Sequence, residues 1–431
     1  MILRLSDSIS RGLIVVAALL VGLWLSFFAV RSAIAQYGAE GQTMQRLQLA
    51  VRLEPDNPEY WYRLGRYQQY DLEQLNAVSA ENSYREAVTL DPNDTFAWLD
   101  LATAYELDGK SEEAREAYLR AKRSCPISAE VAWRYGNFIL RQGQLAQAYP
   151  ELRAAVEADP QRAAEAFSRA YRTNPNIDEL LAELLPAKQS VYVDVIWEAL
   201  NDKQLAVAKT VWARLLLLHP HLEMRDVERF VSDLLNAREY AEARQVWDEG
   251  VATMNLPPLL RPGNSVVWDP SFETGINGYA FSWQYRRIDQ GVSIDLDKAE
   301  KHSGAQSLRL SFDGKHDPNL EAACTMAIVQ PSTTYRLSGW IKSQALTTDQ
   351  GIAFRLHAVD GGFAPATNTR QVVGTSPWTL VDQSWTSGSD VHRVRMCVIR
   401  DASENPGVRI SGSAWVDDVN LFPQLTEHAG P

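Results

Sequence analysis

Residues 80–160 read AENSYREAVTLDPNDTFAWLDLATAYELDGKSEEAREAYLRAKRSCPISAEVAWRYGNFILRQGQLAQAYPELRAAVEADP, and the stretch repeats itself. Ala80, Ala114 and Ala148 stand 34 residues apart, as do Pro92, Pro126 and Pro160. Tyr84, Tyr118 and Leu152 keep that step, and so do Ala87, Ala121 and Ala155. Small residues at a fixed period let helices approach closely, a bulky one fills the space between them, and proline ends a helix because it has no N–H to donate. Such a unit cannot bury its apolar face alone, so it stacks on copies of itself. The expectation is an all-α solenoid that presents a surface.

Working upstream, Trp61-x2-Leu64-Gly65 opens another unit, with Ala80 and Tyr84 on its second helix. The cleanest unit has Trp98, Leu101, Ala102 and Tyr105 followed by Ala114, Tyr118, Ala121 and Pro126. This pattern resembles the tetratricopeptide repeat. After Pro160 the pattern loosens, then returns with Ala208, Trp212, Leu215 and Pro220, and again with Ala243, Trp247 and Val251. Three well-matched and two divergent repeats are expected within residues 37–255. The resemblance implies protein partners held by polar positions on the first helix of each repeat. Arg134, Asn137 and Arg141 are the candidates for that groove. The tryptophans at helical spacing, Trp61, Trp98, Trp133, Trp197, Trp212 and Trp247, are read as interhelix packing.

At the amino terminus, residues 12–30 (GLIVVAALLVGLWLSFFAV) form an uncharged run of 19 between Arg11 and Arg31. That is close to the ~20 residues that cross a bilayer as a helix. Arg4 and Arg11 favour a cytoplasmic amino terminus, with the bulk of the chain on the periplasmic side of the inner membrane. Two readings of residues 1–36 stand. One is an uncleaved transmembrane anchor; the other is a signal peptide cut at the small-x-small sequence Ala33-Ile34-Ala35.

Composition shifts over the proline-rich linker at residues 256–263. The first 261 residues hold 9 glycines, whereas the last 170 hold 15, and alternating apolar runs such as residues 307–312 and 335–341 begin there. Many short strands joined by tight turns are expected over 264–423, before a tail at 424–431. Four blocks carry a second resemblance: Asp269-Pro270-Ser271-Phe272-Glu273, His302-Ser303-Gly304-x2-Ser307-Leu308, Tyr335-x-Leu337-Ser338-Gly339-Trp340, and Trp415-Val416-Asp417-Asp418-Val419-x-Leu421. In this order they are similar to jelly-roll carbohydrate-binding modules and related galactose-binding-like domains. An all-β sandwich is implied.

The same resemblance implies a structural calcium held by Glu273, backbone near residues 301–304, and Asp417 or Asp418. Calcium takes several hard oxygen ligands in flexible geometry; the rival reading has these carboxylates accept from turn amides. A sugar would stack on exposed aromatic faces beside hydrogen-bonding groups. Trp283, Tyr285, Trp378 and Trp385, with Arg286 or Asp382, are the candidates, and packing within a strand is the rival for each. Cys324 and Cys397 are a candidate disulfide, leaving Cys125 free.

The formal net charge of −12 argues against a nucleic-acid partner, which needs a basic face. The chain lacks G-x-S-x-G, H-E-x-x-H, phosphate-loop and dinucleotide fingerprints. The reading is therefore non-catalytic, with no cofactor required; the structural calcium stands only as what the resemblance implies. A membrane-anchored tetratricopeptide scaffold with a module for polysaccharide fits cell-envelope or exopolysaccharide assembly. The alternative is a protein-only assembly factor with a structural sandwich, and a glycoside-active enzyme ranks below both.

Overall fold

The computed structural model describes residues 8–41, 43–70, 77–285, 291–361 and 365–424. The chain divides into two compact units, Met1–Leu218 and His219–Pro431.

The first unit opens on the helix Ser8–Glu40 and then runs through helix pairs. Met44–Leu53 follows, then Pro58–Tyr70 with Ala77–Leu90, Thr95–Leu107 with Ser111–Ser124, and Ala129–Arg141 with Leu145–Ala158. Ala163–Thr173 and a π turn at Leu180–Leu184 break the regularity before Gln189–Asn201 pairs with Leu205–Leu216. The repeated positions do what their chemistry predicts. Ala80, Ala114, Ala148, Ala87, Ala121 and Ala155 have no exposed surface, and Tyr84, Tyr118 and Leu152 are buried between them.

Where an opening motif carries a glycine, it has a steric reason. A Cβ on Gly65 would lie 2.7 Å from the Tyr84 ring, and one on Gly136 would lie 3.0 Å from the Leu152 side chain. Helix starts are set locally. Asp94 accepts from the N–H groups of Phe96 and Ala97, and Ser128 accepts from Val131 N–H. These caps satisfy donors that a helix amino terminus leaves unpaired. Trp61 and Trp98 each donate their indole N–H to a proline carbonyl six residues back, on Pro55 and Pro92, fastening the turn between repeats.

In the second unit, helices Met224–Asn236 and Tyr240–Ala252 pair with Gly250 against Val227. Ten strands follow among the described residues: β1 (Gln284–Tyr285), β2 (Val292–Asp297), β3 (Ser307–Asp313), β4 (Leu320–Ile328), β5 (Thr334–Leu346), β6 (Ala353–Ala358), β7 (Thr367–Asn368), β8 (Gly374–Thr386), β9 (Arg393–Arg400) and β10 (Ser411–Pro423). They form two five-stranded sheets, β1-β4-β9-β6-β7 and β2-β3-β10-β5-β8. Every pairing between these strands is antiparallel. Inward residues such as Leu308, Leu310, Leu337, Ile341, Leu356 and Val398 interdigitate as one core. Cys324 and Cys397 are register partners on β4 and β9 and are joined in a disulfide that spans 73 residues of sequence.

The composition break at 256–263 is not where compactness divides this chain, because the last helix pair shares a unit with the strands. The physical reason is aromatic. Trp247 meets Trp268 edge-on at 5.0 Å and Phe281 at 5.6 Å, and all three are fully buried. Polar contacts frame this cluster: Arg244 Nη1 donates to the Val266 carbonyl at 2.9 Å, and Ala280 N–H donates to Glu228 at 3.0 Å. Tyr240 stacks on His392 at 5.0 Å.

Candidate functional sites

The expected groove residues all sit on one first helix, Ala129–Arg141, and each is linked to a residue of a neighbouring helix. Arg134 donates from both terminal nitrogens to Asp100 Oδ1 at 2.9 Å, and also to Thr103 Oγ1. Tyr62 O–H donates to the other oxygen of Asp100 at 3.0 Å. Burial first, and the Asp100 carboxylate second, push the Tyr62 phenol well above its ordinary value. Asn137 donates to the Trp133 carbonyl and accepts from Arg169 Nη1 at 2.9 Å. Arg141 pairs with Glu106, its Nε lying 2.8 Å from Oε1. Asn137 and Arg141 line one cleft of about 430 Å³ together with Glu165, Arg169 and Arg172. Arg134 instead belongs to the network around Asp100. Asp100, Arg169 and Arg172 escaped the sequence reading. Asp100 was within reach of it, because Asp100 and Arg134 stand 34 residues apart and so occupy one position in successive repeats.

The carboxylates expected to hold calcium gather around one loop of the sandwich. Asp417 Oδ2 accepts from the N–H groups of His302 and Ser303, and its Oδ1 accepts from Asp418 N–H. Both oxygens of Glu273 accept from Ala305 N–H. Asp418 accepts from the hydroxyls of Ser271 and Ser303 and lies 2.6 Å from His302 Nδ1. Burial foremost, with the Asp418 charge beside it, pushes the Asp417 carboxyl up to about 7 against the pull of the amide donors. Asp269, Glu273 and Asp417 are all buried, and among the described residues none of the three has a cation within ion-pair distance. Their oxygens are donors of the type calcium takes, but each carboxylate already accepts from turn or loop amides, the rival reading, and among the described residues these carboxylates do not form a converging group of three ligands.

The sugar candidates do not converge, and two of them are corrected here. Trp283 and Trp385 are core residues: both are buried, Trp283 stacks on Phe272 at 4.6 Å, and its indole N–H donates to the Asp269 carbonyl at 2.7 Å. Trp283 just ahead of β1 and Trp385 on β8 are both packed into the sandwich core, so neither offers a face to a pyranose. Tyr285 is half-buried on the edge strand β1, and burial raises its phenol. Arg286 lies outside the described residues. Trp378 and Asp382 are on β8, in the other sheet, where exposed Asp382 pairs with Arg336 at 2.9 Å. Trp378 is half-buried and meets His302 edge-on at 5.6 Å, while His302 covers Trp340 face to face at 4.0 Å.

A cleft of about 480 Å³ opens beside β1 and β4, lined by Asn277, Gln284, Tyr285, Glu321, Cys324 and Arg395. Its volume falls within the range of small-ligand sites. It combines an aromatic edge, two neutral amides and one charge of each sign; Arg395 lies 3.4 Å from Glu321. Of the sequence candidates it keeps only Tyr285 and the Cys324 end of the disulfide. Arg395 and Glu321 carry no motif and become neighbours only through β4–β9 pairing.

Comparison with known proteins agrees with this architecture. Residues 264–404 match the family model described as a carbohydrate binding domain, and residues 83–116 match a tetratricopeptide repeat model. Over 182 residues the chain is 27% identical to the type IV pilus assembly protein PilF of Pseudomonas aeruginosa, covering 41% of this chain and 60% of that protein. The chain thus spans about 60% of the length of that curated relative. Among solved structures, YrrB, a tetratricopeptide-repeat protein with an unusual peptide-binding site, is 13% identical with a TM-score of 0.27, covering 49% of this chain and 93% of its own. The TmCBM61 module in complex with β-1,4-galactotriose is 17% identical with a TM-score of 0.27, covering 38% of this chain and 100% of its own. The helical region carries tetratricopeptide repeats, and the carboxy-terminal domain is a sandwich of the carbohydrate-binding type.

Proposed function

We propose that this protein is a non-catalytic, membrane-anchored scaffold that docks partner proteins on its repeats and holds a glycan with its sandwich, in the assembly or export of envelope polysaccharide. The observation that carries the reading is the pairing, on one chain, of a tetratricopeptide region with a carbohydrate-binding-type domain. The helix Ser8–Glu40 supports the anchor, since it is long and apolar enough to cross a bilayer. The cleft beside β1 and β4 is the proposed glycan site. Tyr285 offers its ring, while Gln284, Asn277 and Arg395 offer donors to sugar hydroxyls and Glu321 accepts.

A glycan array followed by calorimetry on the best binder tests this site. Tyr285→Ala and Arg395→Ala should each weaken binding about tenfold or more, equal to ~1.4 kcal/mol. Trp378→Ala should leave it unchanged. Binding lost with Trp378 and kept without Tyr285 would move the site to the β8 face.

Calcium belongs to the same proposal as a structural ion held by Asp417, Glu273 and loop backbone, with Asp269 supporting the 269–274 turn through its bonds to the N–H groups of Glu273 and Thr274. Its chemistry is charge compensation of the buried carboxylates. Calcium chloride should raise the melting temperature of chelator-treated protein, and Asp417→Asn should abolish that response; equal melting with and without chelator would remove the ion from the account.

A further inference from the structure

The amino-terminal helix changes character at Arg31 without breaking. Large apolar side chains from Leu13 to Val30 are exposed around the whole circumference. From Arg31 onward, one stripe turns inward: Ala35 has no exposed surface and Ala39 is 5% exposed, packed with Leu47, Ala50, Val51, Tyr60 and Leu64. Positions 31, 35, 38 and 39 lie on one helical face. The close approach there is backbone-deep, since a Cβ on Gly38 would sit 2.9 Å from the Arg46 carbonyl oxygen and 3.6 Å from Ala50 Cβ. Three arginines fasten the segment. Arg31 Nε donates to the Leu53 carbonyl at 2.5 Å, Arg63 Nη1 donates to the Ala39 carbonyl at 3.3 Å, and the Arg46 guanidinium lies 5.2 Å over the Tyr37 ring.

We infer that residues 31–40 are the first helix of the repeat region as well as the continuation of the membrane segment, and that the Ala33-Ile34-Ala35 sequence is therefore not a processing site. The inference rests on the anchor reading above and deepens it. A leader peptidase acts on an accessible small-x-small segment next to a short apolar run. Here the sequence is helical, its last residue is walled in by Ala50 and Leu47, and a cut after Ala35 would leave Gln36–Glu40 too short to cover the Met44–Leu53 helix. Ten residues of shared helix carry the chain about 15 Å beyond the apolar run with no linker.

The experiment uses the full chain produced in a Gram-negative bacterium. Membranes are washed with alkaline carbonate, and the extracted protein is examined by mass spectrometry for its amino-terminal peptides. Peptides reaching back across Arg31 in the carbonate-resistant fraction are expected. A mature chain starting at Gln36 would overturn the inference while leaving envelope targeting intact. A full-length chain released by carbonate would refute the anchor itself, and the inference with it.

A second variant tests the packing independently of processing. Gly38→Leu in the full chain should lower the melting temperature of the detergent-solubilised protein and speed proteolysis within residues 44–70. Unchanged melting and cleavage would show that the helix passes the repeats without joining them.

Discussion

At the scale of single residues, hydrogen bonds set the acid-base behaviour of Asp297. The Trp415 indole N–H donates to its Oδ2 at 2.9 Å, the N–H groups of Ala299 and Glu300 donate to Oδ1, and these donors hold the carboxyl below its ordinary value. A depressed carboxyl contributes stability that is present above its unfolded value and is lost as pH falls through the folded one. Trp415→Phe keeps the ring beneath Arg309 and removes the strongest donor. The Asp297 carboxyl should then titrate nearer its ordinary value, read by NMR, and the acid limb of the unfolding curve should shift to higher pH. The motif Trp415–Leu421 was legible in the sequence as a closing strand. That its tryptophan would serve Asp297, 118 residues away, was not, because such a pair exists only once β2, β3 and β10 lie side by side in one sheet.

At the scale of elements, the repeats were readable because their rule is local and periodic. Each alanine at the 34-residue step is buried, and each glycine of the opening motif faces a bulky side chain. Gly136→Leu drives a branched side chain into Leu152, so a loss of about 1–3 kcal/mol from overpacking is expected in chemical denaturation. The same substitution at Gly109, where open space surrounds the residue, would test backbone strain alone, since its φ is +75°. In the strands, alternation located β3 and β5, but aromatic residue type alone did not tell whether Trp283 and Trp385 would turn inward. A strand has two faces, and only pairing decides which one meets the core. Sugar candidates chosen by residue type were therefore scattered over both sheets and the interior, while the cleft residues Arg395 and Glu321 carried no signal of their own.

At the scale of the whole molecule, the second compact unit starts at His219, ahead of the proline-rich segment. Expression of residues 264–424 alone would bare Trp268 and Phe281, whose cover is Trp247 on the helix Tyr240–Ala252. Exposed aromatic surface of that kind favours association. The short piece should therefore aggregate or bind a hydrophobic dye, whereas residues 219–424 should stay monomeric by light scattering; equal behaviour of the two would deny the helix pair its part in the fold. The aromatic junction also has a mechanical meaning. If a glycan chain pulls on the sandwich, the load reaches Tyr240–Ala252 through the interlocked rings of Trp247, Trp268 and Phe281, in parallel with the backbone at 256–263. A tether with two load paths yields by shearing an aromatic contact before its linker is drawn straight, so the sandwich acts as a stiff grip rather than a bead on a string.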